Sequence, residues 1–135
     1  MLTDTGPLVA LLDADDPHHA ACLKALAGLP RSPLMTTWPC FTEAMYLLGL
    51  VGGHYYQNRL WQGRRDGRLV LLEVSHAEAD RMGALMAQYS NVPMDIADAS
   101  LMAVADTRGI TRLFTVDNDF YIYRLTDGGV LEVVS

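Results

Sequence analysis

The sequence is poor in lysine, in cysteine and in long apolar runs, and each shortage excludes a class of protein. Lys24 is the only lysine, and ten basic residues face sixteen acidic ones, which gives a formal net charge of −6. An acidic excess of this size argues against a protein that grips nucleic acid through a broad basic surface. Clustered carboxylates that held divalent cations would account for part of the excess.

The two cysteines and the longest apolar run also limit where the chain can reside. Cys22 and Cys40 lie in apolar patterns, and the first residues carry no basic region of the kind that begins an export signal. We therefore expect reduced thiols in the cytoplasm. The run over residues 44–53 includes glycines and is too short to cross a bilayer, so no membrane partner is expected.

Length and composition predict a folded protein with one core. The chain has 135 residues, of which 50% are hydrophobic and 19% are charged. These values are typical of a globular protein and exclude a disordered one. We expect a single domain over residues 1–135, because this length suits one hydrophobic core.

Short β-like segments alternate with helical ones along most of the chain. Strands are predicted at residues 2–4, 34–37, 69–74, 113–116 and 130–134. Helices are predicted from Gly6, from an Asp16 cap, from Pro39, over residues 55–66, from a Ser75–Glu78 capping box and over residues 93–109. This alternation predicts an α/β fold, a three-layer α/β/α sandwich around a mostly parallel sheet.

The predicted helix over residues 93–109 has the clearest start and stop signals. Asp95 can cap its start and Gly109 can end it. Asp98 lies three residues after Asp95, on the stripe that Leu101 and Met102 continue with apolar side chains. Two acids at a helix start also satisfy its free N–H groups, so this segment alone does not distinguish a functional site from ordinary capping.

Four acids have positions that can bring them to one edge of the sheet. Asp4 and Asp117 each follow a predicted strand, while Glu43 and Asp98 lie near the starts of helices. Ligands of parallel sheets bind beyond the carboxyl ends of the strands. Carboxylates gathered there repel one another unless a cation joins them, and hard oxygen ligands suit Mg²⁺ or Mn²⁺ and phosphate substrates.

Four segments in this order resemble the PIN domain, and within it the VapC-type toxin ribonucleases. They are LTDTGPLVALLD, TTWPCFTEAMYLL, PMDIADASLMAVADTRG and LFTVDNDFYIYR, and they cover nearly the whole chain. The last two are the most specific, because each combines spaced acids with a defined helix or strand context. The resemblance implies Asp4, Glu43, Asp98 and Asp117 as metal ligands, Asp95 and Asp119 as auxiliary ligands through water, and Thr115 as a supporting hydroxyl.

The same resemblance implies a Mg²⁺- or Mn²⁺-dependent endoribonuclease with an RNA substrate, a cognate antitoxin and a homodimeric state. The apolar and aromatic segment 44–56 exceeds what a small core needs, which also favours a dimer. The arginines and aromatics of residues 55–68 suit either RNA or a protein partner.

Two alternatives keep the fold class but change the function. A PIN-like domain without catalysis would serve as a scaffold. A receiver-type signalling domain also gathers acids around Mg²⁺, but it needs a lysine after a late strand, whereas Lys24 lies in an early helix.

Overall fold

The computed structural model describes all 135 residues, which form five strands, five α-helices and one 3₁₀ turn. The strands are β1 (Leu2–Thr3), β2 (Leu34–Thr37), β3 (Leu69–Leu72), β4 (Arg112–Phe114) and β5 (Glu132–Val134). The helices are α1 (Thr5–Leu12), α2 (His19–Ala27), α3 (Trp38–Arg65), α4 (His76–Gln88) and α5 (Ile96–Arg108), and the 3₁₀ turn spans Asn118–Tyr121.

All neighbouring strands run parallel, in the order β3-β2-β1-β4-β5. The first strand is therefore central, and the chain reverses direction across the sheet between β1 and β4. This order differs from the 2-1-3-4-5 order of receiver-type domains, so the topology argues against that alternative. The carboxyl ends of β1 and β4 are neighbours, which brings the residues after them together.

Alternating side chains of the central strands enter two separate cores, as a three-layer sandwich requires. Leu113 packs in a core built largely from α4 and α5. Its neighbour Phe114 packs instead with Ala10 of α1 and Cys22 of α2. A further core joins α1 to α3 and β3. The α/β/α sandwich with a parallel sheet is thus confirmed.

Helix α3 contains a chain reversal that the sequence marked only as an uncertain glycine-rich end. Gly53 has φ 62°, a left-handed conformation that glycine tolerates without steric cost. Beyond it the second arm folds back on the first, so that the rings of Phe41 and Trp61 meet edge to face at 4.9 Å. A Cβ at Gly52 would lie 2.0 Å from the Tyr56 ring, so that position also has no room for a side chain.

Local capping chemistry was predicted well, and some boundaries were not. Ser75 and Glu78 form the capping box of α4, Asp95 caps α5, and Gly109 ends α5 with φ 66°. Helix α2 begins at His19 rather than after Asp16, because the Asp16 carboxylate accepts the backbone N–H of His18 in a turn that precedes the helix.

The strands near the site are shorter than the apolar runs that predicted them. Strand β4 ends at Phe114 and β3 at Leu72. After Phe114 the chain turns towards Asp117, whose N–H is accepted by the Thr115 hydroxyl. None of the helices combines the length and the apolar character that a bilayer crossing requires.

Candidate metal centre

Asp4 and Asp117 meet at the carboxyl edge of the sheet because their strands are neighbours. Asp4 follows β1 and caps α1, and its carboxylate accepts the backbone N–H of Thr5 at 2.7 Å. The Thr115 hydroxyl donates to the other Asp4 oxygen at 2.8 Å. The same hydroxyl accepts the Asp117 N–H at 3.0 Å. Thr115 therefore fixes both acids relative to each other.

Asp98 reaches the same place from the helical layer. It is the third residue of α5, where the Asp95 carboxylate accepts its backbone N–H at 2.8 Å. Its side chain is buried, with 7% exposed, and accepts a hydrogen bond from the Tyr123 hydroxyl at 3.1 Å. Burial and the adjacent Asp98 raise the pKa of Tyr123, so its hydroxyl stays protonated and continues to donate.

Carboxylate oxygens of Asp4, Asp98 and Asp117 all lie within 4.8 Å of one another. We call these three residues the acid cluster. None of the ion pairs in the structure includes them, so no arginine or lysine neutralises their charge. Three mutually close carboxylates without a protein cation form the arrangement that a hard divalent ion would resolve.

The electrostatic cost of the acid cluster is visible in two of its members. Burial, followed by the charges of Asp4, Asp95 and Asp117, raises the pKa of Asp98 to about 8. Burial also raises the pKa of Asp4 to about 6, although the hydrogen bonds from Thr115 and Thr5 oppose the shift. Without an external cation, the cluster therefore retains protons near neutral pH.

The remaining predicted acids lie around this cluster rather than within it. Glu43, on α3, is not one of the three carboxylates within 4.8 Å; burial and then the charge of Asp95 raise its pKa. The charge of Asp95 raises the pKa of Asp4 and Asp98 as well as that of Glu43. Asp119 donates its N–H to the Asp117 carboxylate at 2.9 Å. Glu43 and Asp95 thus form a second pair of acids beside the acid cluster.

Sequence reasoning missed two features that support the cluster. Tyr123 is fully buried, but nothing in the segment FYIYR distinguishes it from the exposed Tyr121. Behind the site, the hydroxyls of Thr37 and Ser100 are hydrogen bonded at 2.6 Å and so join the start of α3 to α5. The sequence shows only that Thr37 and Ser100 are hydroxyl residues on elements that also carry acids, and this does not predict their hydrogen bond.

Comparison with known proteins assigns the family. The family model of the PIN domain matches residues 1–125. The chain belongs to the PIN domain family. This PIN domain is 27% identical to ribonuclease VapC26 of Mycobacterium tuberculosis over 139 residues, an alignment that covers 99% of each chain.

Solved structures share the same fold. VapC20 of Mycobacterium tuberculosis, a toxin described as cleaving the sarcin–ricin loop, matches this PIN domain with a TM-score of 0.84 and 22% identity, over 99% of this chain and 98% of that one. The VapBC2 complex of Rickettsia felis, solved with a DNA fragment of its promoter, gives a TM-score of 0.67 and 15% identity over 99% and 98% of the two chains. At these identities the likeness establishes the fold alone.

Proposed function

We propose that this PIN domain is a metal-dependent endoribonuclease that acts as the toxin of a VapBC-type toxin–antitoxin pair. The observation that carries the proposal is the acid cluster itself, three carboxylates within 4.8 Å that no basic side chain neutralises. The relatives support the same activity, because VapC26 is a ribonuclease and VapC20 is a toxin that cleaves the sarcin–ricin loop.

The donor set fits Mg²⁺ or Mn²⁺, which prefer carboxylate oxygens and retain waters. Asp4, Asp98 and Asp117 would hold the ion directly, while Glu43, Asp95 and Asp119 would act directly or through water at its margin. When bound, such an ion polarises the phosphodiester and makes a bound water more acidic.

The protein contributes orientation and a partly dry environment. Thr115 and the Thr5 N–H hold the two oxygens of Asp4 in place, and Tyr123 holds Asp98. Groups that hydrogen bond to metal-ligating carboxylates fix their orientation, and losing one typically costs about 10–100-fold in metal affinity or activity. Burial of Asp4 and Asp98 strengthens every charge interaction at the site.

Cleavage of single-stranded RNA with Mg²⁺, with Mn²⁺ and with EDTA tests the activity. We expect cleavage with either ion and none in chelator. Thermal melts under the same conditions distinguish the catalytically silent scaffold: Mn²⁺ that raises the melting temperature without any RNA cleavage would favour the scaffold. Undiminished cleavage in EDTA would exclude metal-dependent chemistry.

A groove on the α1–α2–α3 side supports a protein partner. It has a volume of about 670 Å³, a floor that includes Leu8, Leu12 and Leu60, and a rim with Arg59 and Arg68. In an otherwise acidic protein, this apolar floor with basic edges suits an amphipathic helix that carries acids. The VapBC2 complex, a structural relative of this PIN domain, supports an antitoxin as the partner that carries such a helix.

Isothermal titration with the product of a neighbouring antitoxin-like gene tests the partner. Leu12→Asp should abolish binding, because it places a charge in the groove floor, whereas the same change on the far face, Ala84→Asp, should not. Equal binding by both variants would place the partner elsewhere.

Exposed apolar side chains at the α3 reversal support the homodimer. Tyr46, Leu50, Val51 and Tyr55 are each more than half exposed on the tip of this hairpin. Sedimentation at micromolar concentration should show a species near twice the 14.9 kDa monomer mass. A monomer at that concentration would contradict the dimer. Cys22 and Cys40 are both free and buried, which is compatible with the cytoplasmic location that we propose.

A further inference from the structure

A second cavity lies directly beside the acid cluster, on the α2 side of the sheet. Its volume is about 360 Å³, and it is bounded by the start of α2 and by the segment that leads from β4 into the 3₁₀ turn. Asp117 lines this cavity and also belongs to the acid cluster. A molecule whose reacting bond lies at the cluster therefore has this cavity within immediate reach.

The side chains around the cavity suit a flat, uncharged ring. Tyr121 lines the cavity with an aromatic side chain that is 57% exposed. Asn118 and His18 are also exposed at its edge and offer hydrogen-bond donors and acceptors. Ala21 of α2 adds a small apolar surface. Aromatic faces stack nucleobases, and amide or imidazole groups read the base edges.

The charge of the cavity decides between the parts of a nucleotide. Asp117 is the only carboxylate side chain that lines it, and no lysine or arginine does. A phosphate would therefore meet the Asp117 carboxylate with no lysine or arginine to pair with it, whereas a neutral base would carry no charge for Asp117 to repel. The cavity volume also lies at the small end of the range for ligand sites, about 300–1,000 Å³.

We propose that this cavity is a base-binding subsite, in which Tyr121 stacks an unpaired RNA base next to the cleaved phosphodiester and Asn118 and His18 contact its edge. The inference rests on the proposed ribonuclease function. It adds a specificity determinant that lies outside the metal ligands. Tyr121 and Tyr123 then have separate roles, because the first faces substrate and the second holds Asp98.

Steady-state cleavage of a short single-stranded RNA at fixed Mn²⁺ tests the subsite. Tyr121→Ala should raise KM about tenfold, the scale of one lost base stack, and should change kcat much less. Tyr121→Phe should behave like wild type, since the ring remains. Ile122→Ala is the matched control, because it shortens the adjacent exposed side chain of the same turn, which does not line the cavity.

Two variants on other parts of the cavity make the test independent of Tyr121. Ala21→Phe should narrow the cavity from α2 and raise KM as well. Asn118→Ala should relax the base preference at one position beside the cut, measured by sequencing the products of a random RNA pool. If Tyr121→Ala unfolds in thermal melts, these two variants decide the question.

The possible failures are distinguishable. A wild-type protein that cleaves no RNA with either ion refutes the proposed function, and this inference with it. A wild-type protein that does cleave, with unchanged KM and base preference in Tyr121→Ala, Ala21→Phe and Asn118→Ala, refutes the subsite alone.

Discussion

Asp98 and Glu78 occupy the same position in neighbouring helices, yet their environments drive them in opposite directions. Each is the third residue of its helix, each is buried, and a side chain caps each helix start. Hydrogen bonds from Arg108, followed by those from Ser75 and Thr107, lower the pKa of Glu78 to about 2. The pKa of Asp98 instead rises to about 8.

The two acids differ in whether a basic side chain of the protein neutralises their charge. Arg108 forms an ion pair with Glu78 at 2.9 Å, so that acid is neutralised within the protein and serves to join α4 to α5. The charges that act on Asp98 come from other acids, and its one side-chain hydrogen bond comes from the Tyr123 hydroxyl. The favourable helix N-terminus, which contributes typically 0.3–1 kcal/mol, cannot offset burial among like charges. An acid without an internal partner implies a partner from outside.

The largest expected effect is the loss of cleavage in Asp98→Asn. Its loss of rate should exceed the roughly 10–100-fold cost of an outer partner, because a proposed direct ligand of the ion is removed. In EDTA the variant should melt at a higher temperature than wild type near neutral pH, because folding no longer requires Asp98 to take up a proton among the other acids, and Mn²⁺ should raise its melting temperature less. A variant that melts lower in EDTA and still cleaves RNA would make Asp98 a structural cap.

Metal-free stability should depend on pH in opposite ways at the two acids. The folded protein keeps a proton on Asp98 that the unfolded chain releases near pH 4, so this contribution is present below that pH and is lost as pH rises through about 8. The free energy of unfolding in EDTA should fall by a few kcal/mol across this range. Urea melts of wild type and Asp98→Asn at several pH values measure this fall. If the free energy of unfolding changed with pH equally in the two proteins, the raised pKa of Asp98 would be contradicted.

Removing the charge of Glu78 should reverse the pattern seen for Asp98. Glu78→Gln leaves Arg108 without its partner and should lower the free energy of unfolding by about 1–3 kcal/mol, at the lower end because Arg108 is partly exposed. Stability that depends on ionised Glu78 is present above pH 4.5 and is lost as pH falls towards 2. Cleavage per folded molecule should not change, and a large loss of activity with intact folding would show that the two regions are coupled.

A smaller loss of cleavage than that of Asp98→Asn should come from Tyr123→Phe, which removes one hydroxyl and leaves the ring in place. Asp98 then loses its only hydrogen-bond donor from a side chain, and activity at limiting Mn²⁺ should fall about tenfold. Excess Mn²⁺ should restore most of it. Loss that no Mn²⁺ concentration restores would assign the Tyr123 hydroxyl a role beyond orienting Asp98.

The same contrast explains what the sequence could predict. Capping by Ser75, Asp95 and Gly109 depends on residues a few positions away, so the sequence predicts it directly. The meeting of Asp4 and Asp117 depends on distant segments, but the rule for parallel strand ends anticipated it.

Features that depend on the direction of a side chain could not be predicted from the sequence. Tyr121 ends the 3₁₀ turn and is exposed, whereas Tyr123 lies two residues beyond it and is buried. The pairing of Thr37 with Ser100 requires the start of α3 to pack against α5. The placement of Glu43 beside Asp95, outside the acid cluster, depends on how α3 packs. Its role as a metal ligand stays a prediction.

The central position of β1 also determines when a newly synthesised chain acquires its site. Asp4 is synthesised well before its hydrogen-bond partner Thr115, which follows 111 residues later, and Asp117 comes after that. The edge of β1 that faces β4 stays unpaired until Arg112–Phe114 has been made. A chain that is interrupted before Asp117 therefore cannot assemble the acid cluster, and any chemistry of this site appears only late in synthesis.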